Sequence, residues 1–359
     1  MQTEQNNIKS ILIKIASPQV ISTGFVLPQY NLIITALKNI YGNKQVLISG
    51  KRFPRTLAKV LFTDPINNIA CIEVPAGVLF PKIKTGDTGK LHEDETVLAM
   101  NCLFADDFNL YNAKVLKAGK KDNYLKLITS NLKCEKVIPG TALLNEQLEL
   151  LGMIVNRADN EICTALPLNT ILKSIDEYST SGINRATRCN GCKNILSINE
   201  LKNSACPNCQ TPIDEYLIKE KKHEPVPTAK KLEEIIKKLN YETAISRVGM
   251  NYWEIEEGSA LIRIAFDDKS RYIKANAVLC KLPDEEKHNI YEYLLMENNY
   301  LKGLSFSIQQ GNIVLAMMQI HETDLHIKTA VKLFKYLFYK ADDYDDTLIE
   351  MGAVPLQDE

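Results

Sequence analysis

The sequence predicts a multidomain protein with an all-β N-terminal region, a small four-cysteine module and a C-terminal α+β domain. Three observations lead to this prediction. Short apolar or alternating runs follow one another up to about residue 163, two CxxC pairs lie between residues 188 and 213, and helical periodicity begins after residue 227. We expect the domains to span 1–178, 186–216 and 227–350.

The all-β prediction rests on ten short runs separated by turn residues, a spacing typical of a barrel or sandwich. The runs are 11–15, 22–26, 32–35, 45–49, 58–62, 69–74, 96–102, 113–118, 124–129 and 150–155. A helical pattern follows at 168–178, and the polar stretch 179–188 is expected to be a linker.

The C-terminal pattern has the order α-β-β-β-α-β-β-α. The predicted elements are a helix at 229–239, strands at 252–255, 260–266 and 272–282, a helix up to 297 with Asp284 as its N-cap, strands at 304–309 and 313–321, and a helix at 328–340. Helices on one face of an antiparallel sheet would bury these apolar faces. A second linker is expected at 219–228.

Charge and cysteine usage limit the function classes. A formal net charge of −1 argues against broad electrostatic capture of nucleic acid or anionic membrane. The sequence has no apolar run of about 18 residues, and its polar start does not resemble a signal peptide, so a cytoplasmic protein is expected. Nine cysteines is an odd count for a disulfide framework. Five of them lie in apolar runs and are expected to be buried core thiols: Cys71, Cys102, Cys134, Cys163 and Cys280.

The remaining cysteines form two CxxC pairs separated by thirteen residues, a spacing close to that of zinc ribbons: Cys189, Cys192, Cys206 and Cys209. Four thiolates would close the coordination shell of one Zn²⁺ ion, which makes the predicted zinc structural. A pair of redox-active dithiols is the alternative, although such dithiols usually occur in a βαβ context, which is missing here. For the ribbon itself, a spacer or protein-contact role is favoured over nucleic-acid binding.

Several segments resemble the HtrA/Deg type of trypsin-like serine protease. The runs STGFVL at 22–27 and NLIITA at 31–36 resemble the strands that lead to the catalytic histidine of that family. Residues 58–72, with Asp64-Pro65, resemble the strand, turn and strand around the catalytic aspartate. Residues 143–154 and 165–167 resemble the hairpin after the nucleophile and the closing segment. The resemblance covers about half the chain and implies a double β-barrel.

The same alignment implies a degenerate triad. Lys38 falls on the histidine position, Asn68 on the aspartate position and Pro139 on the serine position. The mechanism needs a base, a carboxylate that orients it and an oxyanion hole, and proline has no N–H to donate. The first barrel also contains no histidine. A dyad of Thr141 with a desolvated Lys38 is the candidate for rescued activity.

The C-terminal element order resembles the YbjN-like and type III secretion chaperone-like fold, which implies protein binding and a homodimer through this domain. Apolar residues could supply an adaptable partner surface, although most are expected to be core: Tyr291, Tyr293, Leu294, Leu295, Met317 and Met318. The acidic residues at 342–346 are expected to fray as a solvated tail rather than bind a divalent cation.

Taken together, the sequence predicts a bacterial, cytoplasmic adaptor that binds a protein or peptide through an inactive trypsin-fold module. No membrane association is expected, and nucleic acid is an unlikely partner. A divergent serine-type endopeptidase and a nucleic-acid-associated regulator that acts through the ribbon are the alternatives.

Overall fold

The computed structural model describes residues 2–104, 108–122, 125–132, 137–158, 162–201, 204–258, 260–285 and 287–356. The chain divides into an N-terminal unit, Met1–His223, and a C-terminal unit, Glu224–Glu359. Each unit has its own hydrophobic core.

A closed six-stranded barrel begins the N-terminal unit, after helix α1 (Gln2–Ile11). Its strands are β1 (Leu12–Ala16), β2 (Ile21–Leu27), β3 (Leu32–Ala36), β4 (Gln45–Gly50), β5 (Phe53–Asp64) and β6 (Ile69–Glu73), with the short helix α2 (Leu37–Ile40) between β3 and β4. The order is β5-β4-β1-β2-β3-β6, and β6 pairs back with β5. These strands are rich in Ile, Val and Leu, residues that favour buried strands.

A second closed six-stranded barrel follows, with strand order β10-β11-β12-β9-β8-β7. Its strands are β7 (Thr96–Cys102), β8 (Phe108–Asp122), β9 (Leu125–Ser130), β10 (Ala142–Asn145), β11 (Leu150–Ala158) and β12 (Ile162–Pro167). Helix α3 (Leu168–Ser181) ends at Gly182, whose φ of 66° places it in the left-handed region. The ten predicted runs coincide with strands, and β10 and β12 are additional.

The segment that carries the CxxC pairs is joined to the first barrel by backbone pairing. It contains β13 (Ala186–Arg188), β14 (Ile195–Ser197) and α4 (Glu215–Ile218). Strand β13 pairs in parallel with β5, so the sheet of the first barrel continues into this segment. The expected linker at 179–188 is therefore wrong, because its first residues continue α3 and its last residues form β13.

The C-terminal unit is an antiparallel sheet that packs against helices, which confirms the predicted α+β class of this region. Its elements are α5 (Pro227–Lys238), α6 (Thr243–Ser246), β15 (Arg247–Gly249), β16 (Tyr252–Glu257), β17 (Ala260–Asp267), β18 (Tyr272–Lys281), α7 (His288–Asn298), β19 (Leu304–Gln309), β20 (Asn312–Met317), β21 (Ile320–His321), α8 (Ile327–Glu350) and β22 (Val354–Pro355). The main strand order is β15-β16-β17-β18-β20-β19, and β21 and β22 pair with β18.

Two details of the C-terminal unit differ from the sequence prediction. Asp284 does not cap α7, because the helix begins at His288 with Lys287 in the cap position. Helix α8 continues to Glu350 and takes in the acidic residues that were expected to fray. Tyr344 and Leu348 extend its buried stripe, and Asp345 is only 1% exposed.

In the part of the chain that the structure describes, no helix is both long and apolar enough to span a membrane.

Candidate functional site

The histidine and aspartate positions of the trypsin-like alignment lie side by side. Lys38 is an exposed residue of α2, and its backbone N–H donates to Asn68 Oδ1 at 3.1 Å. The N–H of Leu37 donates to the Asn68 carbonyl at 3.0 Å. The Asn68 Nδ2 group donates across to the Val155 carbonyl of β11 at 3.2 Å. Because a carboxylate cannot donate, asparagine suits this bridging role better than aspartate.

The nucleophile position is tied to the first barrel by Asn39, a residue that the sequence analysis did not single out. Asn39 Nδ2 donates to the Pro139 carbonyl at 2.7 Å and to Thr35 Oγ1 at 3.1 Å. Thr35 Oγ1 donates to the Thr23 carbonyl at 2.7 Å. Both threonines and Asn39 are buried, so the network is shielded from water. We call Thr23, Thr35, Asn39, Pro139 and Gly140 the interbarrel seam.

Backbone donors around Pro139 are engaged in hydrogen bonds within the fold. Pro139 has no N–H. The N–H of Gly140 donates to the Ile154 carbonyl at 2.8 Å, and the N–H of Thr141 donates to the Ile138 carbonyl at 3.2 Å. In a trypsin-like oxyanion hole the donors are the N–H of the nucleophile residue and the N–H of the residue two positions before it, so a proline at position 139 removes one of the two donors. The hydrogen bonds of Gly140 and Thr141 hold the backbone after Pro139 in place.

The Thr141 hydroxyl, the candidate for rescued activity, is also engaged. Its side chain is fully buried. Its Oγ1 donates to the Ile138 carbonyl at 2.6 Å and accepts from Asn101 Nδ2 at 3.2 Å. Using Thr141 as a nucleophile would first require breaking the bond to Ile138.

All four cysteines of the CxxC pairs come together, with Sγ atoms within 4.8 Å of one another. The Sγ atoms of Cys189 and Cys209 are 3.6 Å apart, and those of Cys192 and Cys206 are also 3.6 Å apart. A tetrahedral zinc ion with Zn–S bonds of about 2.3 Å requires Sγ–Sγ distances of about 3.8 Å. The cluster therefore has the ligand set and size of a four-thiolate metal site.

Neighbouring groups favour the thiolate form of Cys209, whereas burial and the adjacent cysteines raise the pKa of the Cys192 thiol to about 12. The N–H of Gly191 donates to Cys189 Sγ at 3.3 Å. Cys209 Sγ lies 3.2 Å from Thr211 Oγ1, and this contact holds the pKa of the Cys209 thiol below its ordinary value. A Cβ atom at Gly191 would lie 2.2 Å from Thr211 Oγ1, so a larger residue there would displace the Thr211 side chain. Hydrogen bonds to sulfur are the usual surroundings of metal-bound thiolates.

A buried ion pair fixes the cluster to the first barrel. Arg188, which precedes the first cysteine, donates from Nε to Asp64 Oδ2 at 2.9 Å. The Arg188 and Asp64 side chains are 7% and 0% exposed. Ser174 donates to the same carboxylate at 2.6 Å, and Arg188 Nη1 pairs with Glu177 at 2.7 Å. The residues that carry this network lie far apart in the sequence, so no local pattern indicated it.

The four other cysteines that the structure describes are buried, as predicted: Cys71, Cys102, Cys163 and Cys280. Burial raises the pKa of the Cys102 and Cys280 thiols to about 12 and that of Cys71 well above its usual range. Such thiols are poor nucleophiles at neutral pH. Cys134 lies outside the described residues.

The apolar residues predicted for a partner surface divide into two groups. Leu294 and Met317 are core residues and Tyr293 is half-buried, whereas Tyr291, Leu295 and Met318 are exposed. Leu295 is the most exposed of the three, at 69%.

Curated proteins similar to this chain carry the name probable periplasmic serine endoprotease DegP-like. The protein from Marinomonas sp. is 25% identical over 170 residues, which is 45% of this chain and 36% of that protein. Those from Pseudomonas fulva and Pseudomonas putida are 23% and 25% identical over 172 and 138 residues, covering 46% and 38% of this chain and 36% and 29% of those proteins. The chain thus spans about a third of the length of these relatives. No known family profile matches it.

Two solved structures resemble the chain over about half of its length. An HtrA-type protease solved with a tripeptide gives a TM-score of 0.44 at 14% identity, covering 50% of this chain and 64% of that chain. An inactive mutant of a protein from M. tuberculosis gives a TM-score of 0.42 at 18% identity, covering 49% of this chain and 90% of that chain.

These comparisons correct one prediction and support another. The expected cytoplasmic location is wrong, because the curated relatives are named as periplasmic proteins. The polar start of the sequence and the free thiols were an insufficient basis for that expectation. The two closed six-stranded barrels and the similarity to DegP-like proteins agree with each other, and the N-terminal unit has the double-barrel fold of HtrA-type trypsin-like proteases.

Proposed function

We propose that the chain is a non-catalytic protein- or peptide-binding adaptor built on a trypsin-like double barrel. The observation that carries this proposal is the use of the nucleophile position in the interbarrel seam. Pro139 offers neither a nucleophile nor an N–H, and its carbonyl accepts a hydrogen bond from Asn39 at 2.7 Å. The adjacent Gly140 N–H is held by Ile154. The residues that would perform acyl transfer instead hold the barrels together.

Partner binding in this proposal uses surfaces that catalysis does not need. A trypsin-like double barrel can hold an extended peptide by strand addition. The C-terminal unit adds the exposed side chains of Tyr291, Leu295 and Met318. Exposed apolar side chains of this kind are typical of protein contacts when they are contiguous.

A peptidase assay tests the proposal. The purified chain is expected to leave casein intact and to show no labelling by a fluorophosphonate probe, while an active HtrA-type protease serves as the positive control. Fluorescently labelled casein, an extended polypeptide, is expected to bind without fragmentation when followed by fluorescence anisotropy.

Three variants decide the outcome of the labelling assay. Labelling that is lost in Thr141→Ala or Lys38→Ala, but kept in Thr129→Ala, would overturn the proposal in favour of a serine-type peptidase. Thr129 is a suitable control because it lies in β9, and its exposed hydroxyl donates across the strand pair to the Lys117 carbonyl at 3.2 Å.

We further propose that the four-cysteine cluster binds one structural Zn²⁺ ion. The four Sγ atoms, within 4.8 Å of one another, support this assignment. A closed shell of four thiolates leaves no position for a catalytic water. The core of this segment contains few buried side chains, namely Cys189, Leu196, Cys206 and Ile213. Such a small core would fold only with the ion bound.

Metal analysis by inductively coupled plasma mass spectrometry is expected to find about one zinc per chain. The Cys206→Ser variant is expected to lose the ion, because a serine hydroxyl is a poor zinc ligand and leaves the four-coordinate shell incomplete. Cys71→Ala removes a buried thiol outside the cluster and should retain the ion. A native mass four hydrogens below the reduced mass would instead indicate two disulfides, for which Cys189–Cys209 and Cys192–Cys206 are the nearest pairs. That result would contradict the zinc assignment.

A further inference from the structure

The four-cysteine cluster and helix α2 are connected through a short path of side chains on one side of the first barrel. We propose that a metal ion in the cluster fixes the position of α2, the helix that carries Lys38 and Asn39, and that Tyr41 is the positioning residue that couples the two. This inference rests on the metal site proposed above, but not on the proposed absence of catalysis.

The path begins at the second CxxC pair. This pair lies in a hairpin closed by hydrogen bonds from the Cys206 N–H to the Thr211 carbonyl at 2.9 Å and from the Ile213 N–H to the Ser204 carbonyl at 2.8 Å. Asp214 follows at once, and its Oδ1 accepts from the Tyr216 N–H at 2.9 Å. The position of Asp214 is therefore set by the hairpin that presents two of the four thiolates.

Asp214 and Tyr216 then contact the end of α2. The hydroxyl of Tyr41, the residue that caps α2, donates to Asp214 Oδ2. The rings of Tyr41 and Tyr216 pack edge to face with centroids 5.7 Å apart. Burial and the neighbouring Asp214 raise the pKa of Tyr41 to about 12, so its hydroxyl stays a donor across the neutral range.

A backbone contact strengthens this connection. The N–H of Lys221 donates to the Gly42 carbonyl at 2.7 Å. Gly42 has a φ of +78°, and a Cβ there would lie 2.8 Å from Lys221 Cβ. The chain after the cluster therefore lies directly against the turn that leaves α2.

Residues of α2 also contact the triad-like positions. The N–H groups of Leu37 and Lys38 donate to Asn68, and Asn39 donates to Pro139. A helix of four residues has too few internal hydrogen bonds to be stable alone. The position of α2 must therefore be set by its contacts with Asn68 and Pro139 and by its contacts with the segment that the metal ion folds. Loss of the ion would remove the second set of contacts.

Hydrogen–deuterium exchange of the full chain, followed by mass spectrometry, tests the coupling. In the wild type, removal of zinc with a chelator is expected to speed exchange of the amides at 37–43 about tenfold, because local opening becomes easier. In Tyr41→Phe, zinc stoichiometry should stay at the wild-type value, while these amides exchange fast with and without the ion.

Tyr30→Phe is the matched control. It removes the same atom from another tyrosine–aspartate pair, since the Tyr30 hydroxyl donates to Asp176 Oδ1 at 2.6 Å. This variant should keep the full difference between the metal-bound and metal-free protein. Coupling through Tyr41 is indicated when the zinc-dependent difference in exchange is lost in Tyr41→Phe and kept in Tyr30→Phe.

Two results would overturn the inference while leaving the metal site intact. One is unchanged exchange at 37–43 after zinc has left the protein. The other is a full zinc-dependent difference in Tyr41→Phe. If the purified protein holds no metal, the metal-site proposal fails first and takes the coupling with it, and the measured stoichiometry identifies that case.

Discussion

Arg188→Met is expected to destabilise the N-terminal unit by about 3–5 kcal/mol, because it leaves the buried Asp64 carboxylate without its counter-charge. Asp64 is 0% exposed, and Arg188 approaches it to 2.9 Å. Methionine keeps much of the packing volume of the arginine stem, so the measured loss reports mainly on the charge. Urea unfolding followed by far-UV circular dichroism gives the free energy of unfolding.

Lys84→Met is the control for this experiment. Lys84, in the same unit, also forms an ion pair, with Glu4, but its side chain is 67% exposed, and exposed pairs contribute little to stability. Equal losses in the two variants would show that burial of the Arg188–Asp64 pair contributes nothing. Adding Asp64→Asn to Arg188→Met should recover part of the stability, since the uncompensated charge is then absent.

Gly140→Ala is expected to destabilise the N-terminal unit by about 3 kcal/mol or more, the sum of a strained backbone and overpacking. Gly140 has a φ of +92°, and a Cβ there would lie only 2.1 Å from the Thr23 carbonyl oxygen. That oxygen belongs to the backbone of β2, so it can move only if the strand itself shifts. Thermal or urea unfolding measures the loss.

Gly182→Ala separates the two causes. Gly182 has a φ of +66°, and a Cβ there would meet no atom within 4 Å. Gly182→Ala should therefore lower the free energy of unfolding by only about 1 kcal/mol, which is the cost of the positive φ alone. If Gly140→Ala lowers the free energy of unfolding no more than Gly182→Ala does, the interbarrel seam relaxes around the extra methyl group. That result would contradict tight packing at Gly140.

The strands of both barrels were predictable because alternating or continuous apolar runs reflect burial directly. The two additional strands are harder to detect. Strand β10 has only four residues, and β12 leads into the apolar start of α3 without a break in hydrophobicity. Similarly, α8 was predicted too short because the acidic residues mask a buried stripe that continues through Tyr344 and Leu348.

The candidate site was predictable in part. The alignment placed Lys38, Asn68 and Pro139 at the three triad positions, and the CxxC spacing indicated that the four cysteines come close together. The role of Asn39 could not be read from sequence, since its partner Pro139 lies 100 positions away. Only folding brings them together.

The parallel pairing of β13 with β5 has a consequence for where the chain can be divided. A fragment that stops at the end of α3 would contain both complete barrels, yet it would lack Arg188 and leave Asp64 as a buried, uncompensated charge. We therefore expect the barrels and the cysteine-bearing segment to unfold together as one cooperative unit. A natural domain boundary lies after that segment rather than before it, near His223.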